Sequence, residues 1–265
     1  MNVSVNLFSV WNLPWPVLQI PEYREVTLGS WTLKKIAKIQ QFGYFQDWQG
    51  EGEMFALLDG EQTWMSNAWD EVDSQAPHVA AGHGHVVVMG AGMGMALFNL
   101  LAKPDVQRVT LVEREPLVLD LLEQAAHLSA WPGIEKLEIE ITDAFAYRPT
   151  RVVDYLYVDI WADPGDPQAL RHTQQIQKQV KAKIVGWWTQ EIEFLRWSER
   201  KGHTLPITPE DYDQWADEIG LPMIEQADRA YLACISQVAR SYCYRSVLQR
   251  LSQPVTSAIS DQAEH

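Results

Sequence analysis

The residues best suited to do chemistry in this chain stand at the ends of short apolar runs. Val86-Val87-Val88-Met89 is one such run, and Gly90-Ala91-Gly92-Met93-Gly94 follows it at once. Three glycines in five residues permit positive φ and leave bare backbone beside which a ligand can lie. A second apolar run, Val109 to Val112, ends on Glu113, 23 residues after Gly90. An acid at roughly 20 residues from the first glycine is placed to accept both hydroxyls of a ribose. An ordinary βα turn with a surface glutamate would use the same letters, but spacing and context agree better with a cradle for a nucleotide cofactor.

The order of the glycines narrows the cofactor. The turn runs GxGxG and lacks the third glycine of the dinucleotide pattern GxGxxG, where a pyrophosphate must sit close to the helix. GxGxG is typical of proteins that hold S-adenosylmethionine, so an adenosyl sulfonium is favoured over NAD or FAD. Further along, Leu137 to Ile141 alternates as a strand and runs into Thr142-Asp143-Ala144. There an acid before a small residue can accept the adenine amino group, and it can equally cap a helix starting at Ala144. Asp154 to Val158 closes on Asp159, at the strand end where α/β proteins bind ligands. Asp159 is therefore a base, a ligand for a cationic substrate, or a cap, and a site role is preferred. Trp161, Trp187 and Trp188 read as walls of an acceptor pocket. His78, His83 and His85 are loosely spaced and no Cys or carboxylate completes a set, so they read as loop histidines and no metal is expected.

The elements that must position these residues follow from periodicity and punctuation. Glu25 to Leu28 and Met54 to Leu58 have strand character, and Leu58-Asp59-Gly60 is a hairpin signal. Helical punctuation before residue 65 is confined to Leu33 to Gln41. Ala96 to Ala102, Pro116 to Ala130 and Pro167 to Lys181 read as helices between the strands. Thr208-Pro209-Glu210-Asp211 starts another that Gly220 stops, and Ala227 to Leu251 reads as one long helix before an acid-rich tail from Ser257. The expected fold is α/β: a mainly β unit over 1–70, a Rossmann-like domain over 71–195 and a helical extension over 196–265.

Composition limits the partners. Of 265 residues, 21 are Lys or Arg and 35 are Asp or Glu, giving a net charge of −14 and a pI near 4.9. That balance repels nucleic acid and anionic membranes and suits small molecules. Cys234 and Cys243 do not suggest a disulfide framework. With neither a leader pattern nor an apolar run of about 18 residues, a soluble cytoplasmic protein is the expectation.

The ordered set Leu58-Asp59-Gly60, Gln62, Asp70-Glu71, His78-Val79, the Gly90–Met95 turn, Glu113, Asp143-Ala144, Asp159 with Asp163-Pro164, and Gln190-Glu191 resembles a known family. It is similar to the spermidine synthases and related polyamine aminopropyltransferases, a branch of the class I S-adenosylmethionine-dependent methyltransferase fold. The similarity covers about Phe55 to Glu191. It implies a homodimer, with the ribose on Glu113 and neighbouring Arg114, the adenine on Asp143 and Ala144, and the methionine-derived portion on Gly90, Ala91, Gly92, Met93 and Gly94. Gln62 would reach that portion from the N-terminal unit. Asp159 matches the acid that helps deprotonate the attacking amine, while Asp163 and Glu191 fall among the substrate contacts.

Three departures redirect the reading. That family carries GGGDGG at the turn, its Asp binding the ammonium of a decarboxylated donor, and Met93 stands at that position here. A thioether cannot compensate an ammonium. The Tyr-His-Glu cluster after Asp70-Glu71 is replaced by Val72 to Pro77, and the Asp159–Pro164 loop is longer. Transfer of a methyl group from intact S-adenosylmethionine to a small-molecule acceptor is the leading expectation. Aminopropyl or aminocarboxypropyl transfer and a non-catalytic nucleoside-binding protein are the alternatives.

Overall fold

The computed structural model describes residues 15–45, 49–202, 207–223, 231–236 and 238. Two sheets organise them. The first is antiparallel, ordered β1 (Val26–Leu28), β2 (Trp31–Phe42), β3 (Gln49–Asp59) and β4 (Gln62–Ser66). The helical signal over Leu33 to Gln41 is overruled, because this stretch pairs along β3 from Trp31↔Asp59 to Phe42↔Gln49. A bulge between Ile36 and Ile39, with Lys38 at φ 57°, breaks the alternation and so hid the strand.

The second sheet is parallel throughout. After helix α1 (Trp69–Ala81) come β5 (Gly84–Met89), α2 (Met95–Ala102), β6 (Val106–Glu113), α3 (Pro116–Ala126) and β7 (Leu137–Ile141). Then follow β8 (Tyr155–Val158), α4 (Ala169–Val180), β9 (Ile184–Trp187), α5 (Gln190–Lys201) and α6 (Pro209–Ile219). The strand order is β7-β6-β5-β8-β9, a Rossmann-like α/β arrangement. The unbroken apolar runs are explained by burial: Val86, Val87, Val109, Leu111, Tyr155, Leu156 and Val158 have no solvent exposure. β7 is the edge strand, and Ile139 and Ile141 remain exposed there. The chain leaves β5 towards β6 and returns to β8 on the other side, so the crevice at the carboxyl ends of β5 and β8 is the topological switch point.

Helix ends obey the sequence signals. Thr208 caps α6 in a reciprocal box with Asp211, Pro209 is in the first turn, and Gly220 closes the helix at φ 63°. α3 begins at Pro116, its cap Glu115 accepting the Leu117 amide, but it stops at Ala126, and Leu128–Ala130 is a separate 3-10 turn. The expected helix over Ala227–Leu251 lies mostly outside the described residues, of which 231–236 are helical, and the tail from Ser257 lies wholly outside them. No helix among the described residues is long and apolar enough to cross a membrane.

The two sheets meet over the glycine turn. The Tyr23 hydroxyl donates to the Met93 carbonyl at 2.7 Å, and Arg24 donates to the Gln124 and Ala125 carbonyls at the end of α3. Gly90 ties β5 to β8: at φ 95° a Cβ there would drive into the Asp159 carbonyl. Gly90→Ala should therefore destabilise the protein by about 1–3 kcal/mol or more. Thermal unfolding checks this, and a melting temperature equal to that of the unsubstituted protein would show that the turn is not so constrained.

Candidate functional site

The parallel strands end level with one another, and this brings the candidate residues together. Met89 pairs with Val112 on one side and Val158 on the other, while Glu113 pairs with Ile141. Just past these strand ends, Gly90, Asp143 and Asp159 line one cavity of about 220 Å³ together with Gly92, Glu113, Arg114, Ala144, Phe145 and Trp161. Trp31, Leu57, Trp64 and Met65 from the antiparallel sheet form its roof, and the Arg114 guanidinium lies 5.9 Å from the Trp64 ring centre.

Glu113 is buried and holds the turn. One carboxylate oxygen accepts the Ala91 amide at 2.8 Å and the other accepts the Glu115 amide at 2.8 Å. A carboxylate offers about four acceptor positions, so these two bonds do not exhaust it, and the residue lines the cavity. Asp143 is exposed at the cavity rim. Its Oδ1 accepts the Phe145 amide at 2.7 Å within a turn over 144–146, so no helix starts at Ala144 for it to cap, and the side chain lines the cavity.

Several sequence expectations are corrected. Gln62 is exposed at the hairpin tip, paired with Asp59 and away from both cavities; its register puts the side chains of Trp64 and Met65 over the turn instead. Ala91, Met93 and Gly94 do not line the cavity. Ala91 and Met93 take part through their amides, and Gly94 caps α2 at φ 75° against Trp131. Trp187 is core, 1% exposed and tilted against Trp215 at 5.8 Å. Glu191 is also interior, accepting the Tyr44 hydroxyl at 3.1 Å and the Tyr231 hydroxyl at 2.6 Å, and burial raises its pKa. His78 is no loop residue: it lies buried in α1, stacked on Tyr157 with Nδ1 2.9 Å from the Tyr155 hydroxyl.

Trp188 and Asp163 belong to a second, larger cavity of about 610 Å³. It shares Trp64, Met65 and Glu71 with the first and is otherwise walled by residues such as Phe42, Tyr44 and Ile192. Asp70, Glu71 and Asp163 line it, and none of its described lining residues is Lys, Arg or His. Glu71 was legible in the sequence only as half of an acidic pair. Here it lies on the partition between the cavities, its Oε2 accepting the Ser66 amide and hydroxyl at 2.7 and 2.5 Å.

Burial dominates the acids around the turn. It raises Glu71 to about 8, against the opposing Ser66 hydrogen bonds and with a further push from the charge of Asp159. Asp159 itself is lifted to about 7 by burial, opposed by the Tyr157 hydroxyl that donates to its Oδ2 at 3.3 Å. Asp73, two residues on from Glu71 in α1, is raised to about 8, again mainly by burial.

No family model matches the chain, and no curated protein matches it. Among solved structures it is similar to spermidine synthase from Thermotoga maritima, at 19% identity over 62% of this chain and 55% of that one, with a TM-score of 0.35. The methyltransferase domain of bacterial CtHen1-CN is 18% identical over 51% of this chain and 74% of that one, with a TM-score of 0.33. N-methyltransferase NodS from Bradyrhizobium japonicum, in complex with S-adenosyl-L-homocysteine, is 15% identical over 39% of this chain and 50% of its own, with a TM-score of 0.29. The chain spans 39% to 55% of three such structures, among them the Thermotoga enzyme. Likenesses this partial decide neither branch nor reaction, and the fold stands on the sheet order itself.

The raised acids make stability depend on pH. Each binds a proton in the folded state that the unfolded chain has already released, so their stabilisation is full below the ordinary carboxylate range and is lost as pH rises. The melting temperature should fall between pH 4.5 and about 8, and Glu71→Gln should reduce that slope. A flat profile, or one left unchanged by the substitution, would contradict the burial assigned to Glu71.

Proposed function

We propose that this protein is an S-adenosylmethionine-dependent transferase that moves a methyl group onto a small-molecule acceptor, read here as an amine. The observation that carries the proposal is the pair of cavities: one built around the glycine turn and Glu113, the other opening beside it across Trp64, Met65 and Glu71. Glu113 suits the ribose hydroxyls because it lines the cavity and its turn contacts leave acceptor positions open. Ala144 and Phe145 offer backbone and a ring edge to the adenine, with Asp143 at the rim. These residues fit the adenosyl portion, and bound there the cofactor would supply a sulfonium-activated methyl group.

The chain's own part is then orientation and proton handling. In-line attack gains mainly from holding two reactants in register and from excluding water, which a roof of Trp31, Trp64 and Met65 can do. The larger cavity, acidic and aromatic, suits a cationic amine whose body is apolar. Asp159 lines the smaller cavity at the strand tip, near enough to Glu71 on the partition to raise that group's pKa, and its own pKa of about 7 is matched to taking a proton from an amine that reaches across the partition. Transfer of an aminopropyl or aminocarboxypropyl arm is the second reading, favoured by the same acids beside the turn.

Calorimetry should show S-adenosylhomocysteine binding to the protein, weakened about 10- to 100-fold by Glu113→Ala in protein whose melting curve confirms folding. No binding to the folded protein would end the proposal. With S-adenosylmethionine and an amine mixture, mass spectrometry should find S-adenosylhomocysteine and a methylated amine. Methylthioadenosine would instead establish the second reading, and binding without any turnover would leave a non-catalytic protein. Asp159→Asn should lower turnover by about 10²–10⁴-fold, and in the unsubstituted enzyme turnover should rise with pH through about 7. A pH-independent rate would remove Asp159 from that role.

A further inference from the structure

Met65 is one of the three residues that line both cavities, with Trp64 and Glu71, and its contacts are unusual for a partition. It reaches from β4 across the glycine turn, so close that a Cβ on Gly92 would strike its sulfur. That sulfur accepts the buried Met93 amide at 3.0 Å. A thioether is a weak acceptor on a flexible, unbranched chain. The contact therefore spares a buried N–H the penalty of having no partner without binding it firmly.

We propose that Met65 is an exchangeable stand-in for the carboxylate of an amino-acid arm. It occupies the Met93 amide and the space over Gly92 while no arm is bound, and it yields both when a carboxylate-bearing adenosyl ligand enters. This rests on the reading of the smaller cavity as an adenosyl site. Replacing sulfur by a carboxylate turns a weak hydrogen bond into a charge-assisted one, so the exchange runs downhill. The displaced thioether has somewhere to go, because it already borders the larger cavity. Entry of the arm would thus reshape the acceptor chamber and favour an order in which the cofactor binds first.

The test is a pair of titrations on the full chain, with S-adenosylhomocysteine, which carries the arm, and methylthioadenosine, which lacks it. Met65→Leu keeps bulk but removes the acceptor, and Met65→Ala removes both. Each should shift the affinity ratio in favour of S-adenosylhomocysteine by about threefold to tenfold, the size of one amide hydrogen bond released from the unliganded state. A merely structural residue would lower the melting temperature and move both affinities together, leaving the ratio unchanged, and that result would overturn the proposal. Should Met65→Ala fail to fold, Met65→Leu carries the test. If neither nucleoside binds the unsubstituted protein, the adenosyl reading falls and takes this inference with it, an outcome distinct from binding at an unaltered ratio.

Discussion

One carboxylate joins the turn to the neighbouring strand. Glu113, the last residue of β6, grips the Ala91 amide in the loop that leaves β5 and the Glu115 amide ahead of α3. The backbone does the same job one step back, where the Gly90 amide donates to the Val112 carbonyl at 2.9 Å. Together these bonds fix the turn to the end of the neighbouring strand. The Gly90 contact with Asp159 then locks it against β8, so the switch-point crevice is set by two strand ends and a residue without a side chain. A buried carboxylate must find donors, and here the donors are the amides that shape the cavity.

The antiparallel sheet has a complementary role. It contributes no strand to the parallel sheet, yet Trp31, Leu57, Trp64 and Met65 close the cavity from above, and Met65 and Glu71 divide it from its larger neighbour. The residues on this partition include a soft thioether and a carboxylate whose pKa burial raises. Beneath them the Met89 and Met93 side chains are fully buried, as are the inner residues of β5 and β8.

Much of this was legible in the sequence because local signals and tertiary demands coincide. The apolar runs of β5, β6 and β8 read as parallel strands because both their faces are covered, and the acid at the end of β6 was marked by its distance from Gly90. What stayed hidden depended on pairing. The bulge at Lys38 disguised β2 as a helix, and only the register of β4 on β3 reveals that Met65, and not Gln62, reaches the turn. The tryptophans and Glu191 show the same limit. Trp187 and Trp188 are adjacent in the chain, but the first enters the core beside Trp215 and the second donates from its indole to Ser74 on the wall of the larger cavity. Glu191 looks like a site acid until Tyr44 and Tyr231, 147 and 40 residues away in sequence, arrive to satisfy it.

In the proposed site Glu113 receives a ribose. The most direct measurement is calorimetric titration of the protein with adenosine and, in parallel, with its 2′,3′-dideoxy analogue, which differs only where that carboxylate would bind. Loss of two charge-assisted hydrogen bonds predicts that the dideoxy nucleoside binds at least about 100-fold more weakly. Equal affinities would mean that the hydroxyls face something other than Glu113, and the account built on it would be wrong.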